Sequence, residues 1–294
     1  MTTLGRGFED RLRVLAVILL VASVAYAAGP EFTNARKLYN CTDFEQSLKV
    51  LQTIANKDGA VYDLIGRNYY MQGDYKKATD ALEKAMAMEP ANPEYALWLG
   101  RSYGRRAETS NPFSAPSQAA KARQYFERSV QLNPMNLDAQ SDLFEYYLEA
   151  PGFLGGGLDK AEVTASHIAR ISPAEGQAAQ AKLAEKRKES GRAEEYLRRA
   201  IELAPQQVGR FIDLARFLVK QGRFQEADQN FERAEKIAPN SPRLMFARAE
   251  TYVKAHHNLE VAKELLTRYM STPVTPEDPP KSEAAKLLHQ VQGG

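Results

Sequence analysis

A set of arginine and tyrosine residues at nearly regular spacing is the part of this sequence best suited to bind a ligand. Its members are Arg36, Tyr39, Arg67, Tyr70, Arg101 and Arg105. A guanidinium group can hold a carboxylate through two parallel hydrogen bonds, and a tyrosine offers an apolar ring with a polar tip. Aligned by a fold, these residues suit an acidic segment or a free C-terminal carboxylate. The alternative is an ordinary solvated surface, since arginine is also a good helix former.

The sequence offers no arrangement typical of catalysis, metal binding or phosphate binding. Its four histidines and one cysteine have no partners at useful spacing for a metal site. The glycine run at 155–157 is not followed by Gly-Lys-Ser/Thr, and Asp159 would repel a phosphate. A formal net charge of +2 over 294 residues gives no bulk attraction to nucleic acid. We therefore predict a non-enzyme with no metal, no cofactor and no nucleic-acid partner.

A helical pattern that recurs about every 34 residues organises the chain. In each unit a small residue is followed four and seven positions later by apolar or small residues, which places all three on one helix face. The small residues are Ser47, Ala78, Ala122, Ala161, Ala193, Ala227 and Ala262. Successive members lie 31, 44, 39, 32, 34 and 35 positions apart. The third and fourth units therefore contain insertions.

The pattern resembles the tetratricopeptide repeat. The second and sixth units carry the family's positions almost complete, as Gly66, Tyr69, Gly73, Tyr75, Ala78, Leu82, Ala85 and Pro90, and as Ala215, Leu218, Gly222, Phe224, Ala227, Phe231, Ala234 and Pro239. The resemblance covers roughly residues 30–272. It implies an all-α fold, a right-handed α-solenoid of about seven antiparallel helix pairs. Since one pair cannot bury its own apolar face, the pairs should stack around one continuous core.

The resemblance also implies where a partner binds. In this family the first helices line the concave face, extended peptides bind there, and the residue after the small position points into the groove. Here that column is Arg36, Arg67, Arg101, Glu145, Arg216 and Glu250, with the register of the fifth unit left open. The three arginines would then form a ladder, with Tyr39 and Tyr70 beside it.

Two insertions and the tail depart from the repeat. Residues 107–118 contain two prolines, which predicts an extended turn. Residues 149–157 predict a long turn with Phe153 and Leu154 tucked between helices, or alternatively a tip that contacts a partner. Residues 273–294 predict a proline-rich loop followed by an amphipathic helix that caps the last repeat.

The N-terminus has the three parts of a secretory signal peptide. Arg6, Arg11 and Arg13 precede an apolar run at 14–28, and the small residues at 25–27 suit a signal peptidase. A helix over this run would span about 22 Å, less than the roughly 30 Å of a bilayer's hydrocarbon core. We therefore predict cleavage and export to the periplasm or the exterior. The alternative is an uncleaved membrane anchor.

The function predicted from the sequence is that of an exported, non-catalytic scaffold or adaptor. Its parts would be a signal peptide at 1–27, the solenoid at 28–272 and the capped tail at 273–294. The partner would be a protein or peptide that is acidic or ends in a free carboxylate, with membrane contact only if the signal segment stays attached. Two alternatives are a membrane-anchored subunit of an envelope assembly or secretion complex, and an accessory subunit of a carbohydrate-handling enzyme.

Overall fold

Helices account for all regular structure in residues 29–292, the part of the chain that the computed structural model describes. This range contains fifteen α-helices and one short 3-10 turn at Gly152–Leu154. None of these helices has the length and apolar character needed to cross a bilayer. The predicted signal segment at 1–27 lies outside the described residues.

Fourteen of the helices form seven consecutive pairs, and the fifteenth follows them. The first helices of the pairs are α1 (Pro30–Asn40), α3 (Gly59–Met71), α5 (Pro93–Thr109), α7 (Leu137–Glu149), α9 (Pro173–Lys186), α11 (Val208–Lys220) and α13 (Pro242–Lys254). The second helices are α2 (Phe44–Thr53), α4 (Tyr75–Met88), α6 (Ala115–Leu132), α8 (Leu158–Ile171), α10 (Ser190–Leu203), α12 (Phe224–Ile237) and α14 (Leu259–Ser271). The last helix is α15 (Lys281–Gln292). The predicted all-α solenoid of seven pairs is confirmed.

Side-chain caps determine where many of these helices begin. The carboxylates of Asp43, Asp58 and Asp74 accept hydrogen bonds from the backbone N–H three positions on, at 3.2, 2.9 and 3.1 Å. The amide oxygen of Asn136 does the same at the start of α7, at 3.0 Å. Each cap satisfies an N–H group that has no partner within the first turn. The boundaries of the repeats are therefore fixed by local sequence.

Small residues let the two helices of a pair approach closely. A Cβ atom on Gly66 would lie 2.5 Å from Cγ of Leu82, and one on Gly100 would lie 2.6 Å from the ring of Phe126. Other repeats have a fully buried alanine at this position: Ala35, Ala181, Ala215 and Ala249. The large side chains of the second helices therefore fill the space that the small residues leave.

The fourth and fifth repeats vary this contact. Phe144 stands where the other repeats have a small residue, and it is buried against Ile168 of α8. In the fifth repeat, Ala181 occupies the small position and settles the register that the sequence left open. A Cβ atom on Gly176 of α9 would lie 2.5 Å from Cα of Ala169 in α8, so these neighbouring repeats also approach closely.

Buried apolar side chains group into four clusters along the stack. The first cluster joins α1, α2 and α3, and the largest extends from α9 to α15. Two smaller clusters lie between them, and the half-buried ring of Tyr147 packs against both. Each pair is thus covered by its neighbours.

The first insertion mostly lengthens two helices. Of residues 107–118, only 110–114 lie outside α5 and α6, so the prediction of an extended turn over the whole segment was wrong. Pro116 lies in the first turn of α6, where the missing N–H group removes no helical hydrogen bond. Phe113, between the two helices, is 97% exposed.

The second insertion also exposes an aromatic side chain. Phe153 is 82% exposed, so the prediction that it is tucked between helices was wrong. Leu154 is half-buried, and its carbonyl accepts a hydrogen bond from the hydroxyl of Tyr146 at 2.9 Å. Both insertions connect the helices of a pair, so Phe113 and Phe153 lie on the same edge of the solenoid.

The short turns within the pairs need a residue with left-handed backbone geometry. Gly73 and Gly222 supply it with φ of +80° and +73°, which glycine adopts without steric cost. Thr42 and Lys188 occupy the equivalent positions with φ of +59° and +60°. A side chain in this region costs about 1 kcal/mol, so these two turns are strained.

We predict that Lys188→Gly stabilises the protein by about 0.5 kcal/mol. Relief of the left-handed strain exceeds the extra backbone entropy that glycine has in the unfolded chain. The matched control, Gly222→Ala, should lower the free energy of unfolding by about 1 kcal/mol. Urea midpoints measure both changes, and a Lys188→Gly variant less stable than the wild type would contradict the turn geometry.

Candidate functional site

A groove of about 940 Å³ lies between the first repeats and the C-terminal tail. One wall comes from α1, α3 and α5, and the other from the loop after α14 and from α15. Because both ends of the described chain share this groove, the stack curves toward the face formed by its first helices. The lining includes all six residues singled out from the sequence: Arg36, Tyr39, Arg67, Tyr70, Arg101 and Arg105. We call their four arginines the arginine wall.

Arg67, at the middle of the arginine wall, is already held by two carboxylates. Its Nε atom lies 2.7 Å from Asp63, one turn earlier in α3, and a terminal nitrogen lies 4.0 Å from Glu94 in the next repeat. Burial raises the pKa of Asp63, and the charge of Arg67 opposes that shift. The guanidinium of Arg67 is therefore positioned before any ligand arrives.

Arg101 joins the third repeat to the fourth. Its Nε donates a hydrogen bond to the carboxylate of Asp142 at 2.5 Å, and a terminal nitrogen donates to Asp138 at 3.4 Å. Both carboxylates belong to α7. Burial raises the pKa of Asp142, while the charge of Arg101 lowers it. Arg101 thus stabilises the contact between repeats as well as lining the groove.

Trp98 connects these two arginines into one surface. The guanidinium carbons of Arg67 and Arg101 lie 4.7 and 5.1 Å from the centre of its ring. The ring of Tyr70 packs edge-on against it, with centres 5.4 Å apart. Each cation–π contact of this kind contributes about 0.5–1 kcal/mol at a partly exposed site. The result is a rigid aromatic surface.

Arg36 differs from the other members of the arginine wall. Its guanidinium lies 4.7 Å from the ring centre of Phe32, and it forms no ion pair with residues 29–292. Its side chain is exposed at the end of the groove. Arg36 is therefore available to an incoming carboxylate at little rearrangement cost.

Arg105 lies at the other end of the arginine wall. It pairs with Glu108 at 2.6 Å, and its Nε donates to the hydroxyl of Tyr75 at 3.2 Å. The ring of Tyr75 packs edge-on against Tyr70, with centres 5.5 Å apart. A continuous series of contacts therefore runs from Arg105 through two tyrosines to Trp98.

Tyr39 and Tyr70, two of the tyrosines that line the groove, are neutral at physiological pH. Burial raises the pKa of Tyr39 to about 12, the charge of Arg67 opposes the shift, and that of Glu277 adds to it. Burial also raises the pKa of Tyr70 to about 12, against the charges of Arg105 and Arg101. Glu277 of the tail and Tyr39 of the first repeat line the same groove.

Farther along the stack, the same column of positions is paired between repeats. Glu145 of α7 binds Lys182 of α9, and Arg216 of α11 lies 2.8 Å from Glu250 of α13. Lys182 is the fifth-repeat member that the sequence left open. Opposite charges from adjacent repeats therefore balance this part of the column.

The second side of the groove, which we call the tail wall, is acidic. Its charged members are Glu277, Asp278, Glu283 and Lys286. The carboxylate of Asp278 accepts a hydrogen bond from the backbone N–H of Thr275 at 2.9 Å. The hydroxyl of Tyr269 donates to the carbonyl of Pro279. The loop that carries the wall is therefore fastened to α14.

Helix α15 holds the other end of this wall in place. It packs against α13 and α14, with Ala284 fully buried and Leu287 and Leu288 half-buried in the largest cluster. Helix α15 therefore covers the last repeat. Its position beside the first repeats, however, was not predicted.

Several residues in and beside the arginine wall that the sequence reasoning missed lie on the same helix faces as the predicted column. Trp98 and Asp142 stand three positions before Arg101 and Glu145, and Glu94 stands seven before Arg101. Residues at these spacings share a face, so the column continued upstream would have found them. No pattern in the sequence predicts that the tail wall lies across the groove from Arg36, because this position depends on the curvature of the whole stack.

The lining offers hydrogen-bond donors, aromatic faces and charges of both signs. Such a surface suits the noncovalent binding of a polar chain segment. In the described range, no three or more histidine, cysteine, aspartate or glutamate side chains are grouped so that they could hold a metal ion. The fold and groove together define the class of the protein, a helical-repeat solenoid with a groove on the face of its first helices.

Comparison with known proteins names the repeat. Residues 59–92 and 186–244 each match a family model described as tetratricopeptide repeat. The chain therefore contains tetratricopeptide repeats, as its sequence pattern indicates. No curated protein sequence matches the chain.

Solved structures show the same fold. A tetratricopeptide repeat protein from Parabacteroides merdae aligns with a TM-score of 0.58 at 15% identity, over 91% of this chain and 100% of that one. A thermophilic TPR protein from Thermus thermophilus aligns with a TM-score of 0.53 at 17% identity, over 66% of this chain and 100% of that one. Identities this low establish the solenoid fold alone.

The raised tyrosine pKa values predict a loss of stability at alkaline pH. Above pH 10 the unfolded chain ionises its tyrosines, while Tyr39 and Tyr70 in the folded chain stay protonated until about pH 12. The unfolded state then binds fewer protons, so the free energy of unfolding falls as pH rises through this window. Each side chain should account for about 1 kcal/mol of that loss at pH 11.

The double variant Tyr39→Phe/Tyr70→Phe should unfold at nearly the wild-type urea concentration at pH 8. Its loss of stability between pH 10 and 12 should be smaller than that of the wild type. Urea unfolding at a series of pH values measures both. Equal alkaline slopes for the variant and the wild type would contradict the assigned burial of these hydroxyls.

Proposed function

We propose that this protein is a non-catalytic scaffold that binds an extended segment of a protein partner in the groove between the arginine wall and the tail wall. The observation that carries the proposal is the convergence of Arg36, Arg67, Trp98 and Arg101 on one groove. The latter three are held by contacts within the protein. Binding to such a surface loses little side-chain entropy, which favours affinity.

Arg36 is proposed to receive a carboxylate of the partner, from an acidic side chain or a C-terminus. It is exposed and has no ion pair in the described chain, whereas Arg67 and Arg101 are neutralised by aspartates. Those two arginines would act mainly through their flat faces and through Trp98. The sequence predicts that Arg36, Arg67 and Arg101 together bind an acidic partner. We propose that Arg36 alone of the three binds its carboxylate.

The chain contains a single tryptophan, and that residue is Trp98 in the groove. Its fluorescence therefore reports directly on occupancy. Peptides selected from a random library against the protein supply probes of about eight residues, long enough to span some 25 Å when extended. Proposed ligands are those that change the fluorescence of Trp98 at saturation.

We predict that Arg36→Glu weakens the binding of the acidic peptides from this selection about tenfold, because it replaces the attracting charge by a repelling one. The matched control is Lys37→Glu, the same charge change on the adjacent residue, which is exposed and does not line the groove. It should leave affinity within about twofold of the wild type. Equal weakening by the two variants, or none by Arg36→Glu, would refute binding at this position.

We also propose that the protein is exported and acts outside the cytoplasm. The support is the arginine-flanked apolar run at 14–28 with small residues at 25–27. Mass spectrometry of the protein isolated from its own cells should show a chain that begins near Ala28. An intact N-terminus in the membrane fraction would instead favour an anchored subunit of an envelope assembly.

A further inference from the structure

The groove has two walls of different charge, and this restricts the partner further than the arginine ladder does. The inference rests on the proposed function, since it concerns the same groove. Five cationic side chains line it, Arg36, Arg67, Arg101, Arg105 and Lys286. Five carboxylates line it as well, Glu94, Asp138, Glu277, Asp278 and Glu283. The lining is therefore neutral overall but not uniform.

The unpaired charges lie on opposite walls. On the arginine wall, Arg67, Arg101 and Arg105 are engaged by carboxylates, and Arg36 forms no ion pair with residues 29–292. On the tail wall, Glu277, Glu283 and Lys286 are exposed and form no ion pair within the same range. A cation is thus available at one side, and two carboxylates with one lysine, a net negative charge, are available at the other.

Both walls act on any ligand in this groove. Unscreened interactions reach about 8 Å at physiological ionic strength, which is comparable to the width of an extended chain with its side chains. Glu277 of the tail and Tyr39 of the first repeat line the same groove, so the charges of the tail act on a ligand that lies beside the first repeat. A uniformly acidic segment would be attracted by Arg36 and repelled by the tail wall.

The tail wall is a fixed part of the site. Lys281 donates to the carbonyl of Met270 at 2.9 Å, and Tyr269 holds the carbonyl of Pro279. Ala284 of α15 is fully buried. Displacing the wall to relieve repulsion would expose part of the largest apolar cluster, so a ligand has to match the wall as it stands.

We propose that the groove selects a dipolar protein segment, one that presents a carboxylate to Arg36 and a lysine or arginine side chain to Glu277 and Glu283. The charges of the ligand are then complementary to the available charges of both walls. The segment crosses the groove over the aromatic surface of Trp98.

Synthetic peptides of about eight residues test this directly. One series carries an acidic and a basic end in either order, and the others carry acidic or basic residues only, with the same apolar residues between them. Affinity is measured through the fluorescence of Trp98. The wild-type protein should bind the better dipolar order about fivefold more tightly than the all-acidic peptide, as expected for two exposed ion pairs.

The variant Glu277→Gln/Glu283→Gln removes the available carboxylates of the tail wall and keeps its shape. It should weaken the dipolar peptide and strengthen the all-acidic one, so that their affinities come within about twofold. The matched control is Glu260→Gln/Glu264→Gln on α14, which removes two exposed charges that do not line the groove. The control should keep the wild-type preference.

The outcomes separate this inference from the proposed function. An all-acidic peptide that binds the wild type as tightly as the dipolar ones, with loss in Arg36→Glu, would overturn the dipolar partner and leave the groove as the binding site. If Glu277→Gln/Glu283→Gln kept the wild-type preference for the dipolar peptide, the dipolar partner would likewise be overturned. If no peptide of any series alters the fluorescence of Trp98, both proposals fall.

Discussion

The close contact of paired helices at small residues is the constraint on which the rest of this structure depends. Where Gly66 and Gly100 face Leu82 and Phe126, there is no room for even one methyl group. This spacing sets how each pair packs on the next and therefore the path of the stack. The position of every groove side chain follows from that path, because the arginine wall is drawn from three successive repeats.

Ion pairs between neighbouring repeats add to this packing of helices. Arg101 reaches the aspartates of the next first helix, and Glu145 with Lys182 and Arg216 with Glu250 repeat the arrangement farther on. Ion pairs at such partly exposed positions contribute modestly to stability, about 0–1 kcal/mol each. Their larger effect is to fix side-chain geometry and to leave free charge only at selected places, of which Arg36 and the tail carboxylates are examples.

The sequence predicts the fold well and the site in part, for a physical reason. Helix caps, small contact positions and turns are local, so their pattern at about 34-residue spacing indicates seven pairs. The residue after the small position of each first helix faces the groove, and this orientation is set within a single helix. Arg36, Arg67 and Arg101 therefore line one groove, as the sequence predicts. The sequence analysis did not predict that Arg67 and Arg101 are already paired with carboxylates, because this depends on the positions of Asp63 and Asp142. The first insertion was misjudged because its prolines were taken to exclude helix, although the first turn accepts them.

The tail wall lay beyond prediction for a different reason. Its distance from Arg36 is the sum of six small rotations and translations between the seven repeats, and an error in any one of them would move it. No pattern within a single repeat contains that sum.

A site built from both ends of a solenoid makes the number of repeats part of its geometry. In an open stack, a helix pair can be added or lost while each neighbour keeps its own contacts, because stability is roughly a sum over adjacent units. Here the loss of one pair would carry Glu277 and Glu283 away from Arg36 by about 10 Å, the spacing of packed helices. The molecule would still fold, but its two walls would no longer face the same ligand, so the length of the array acts as a ruler for the binding site.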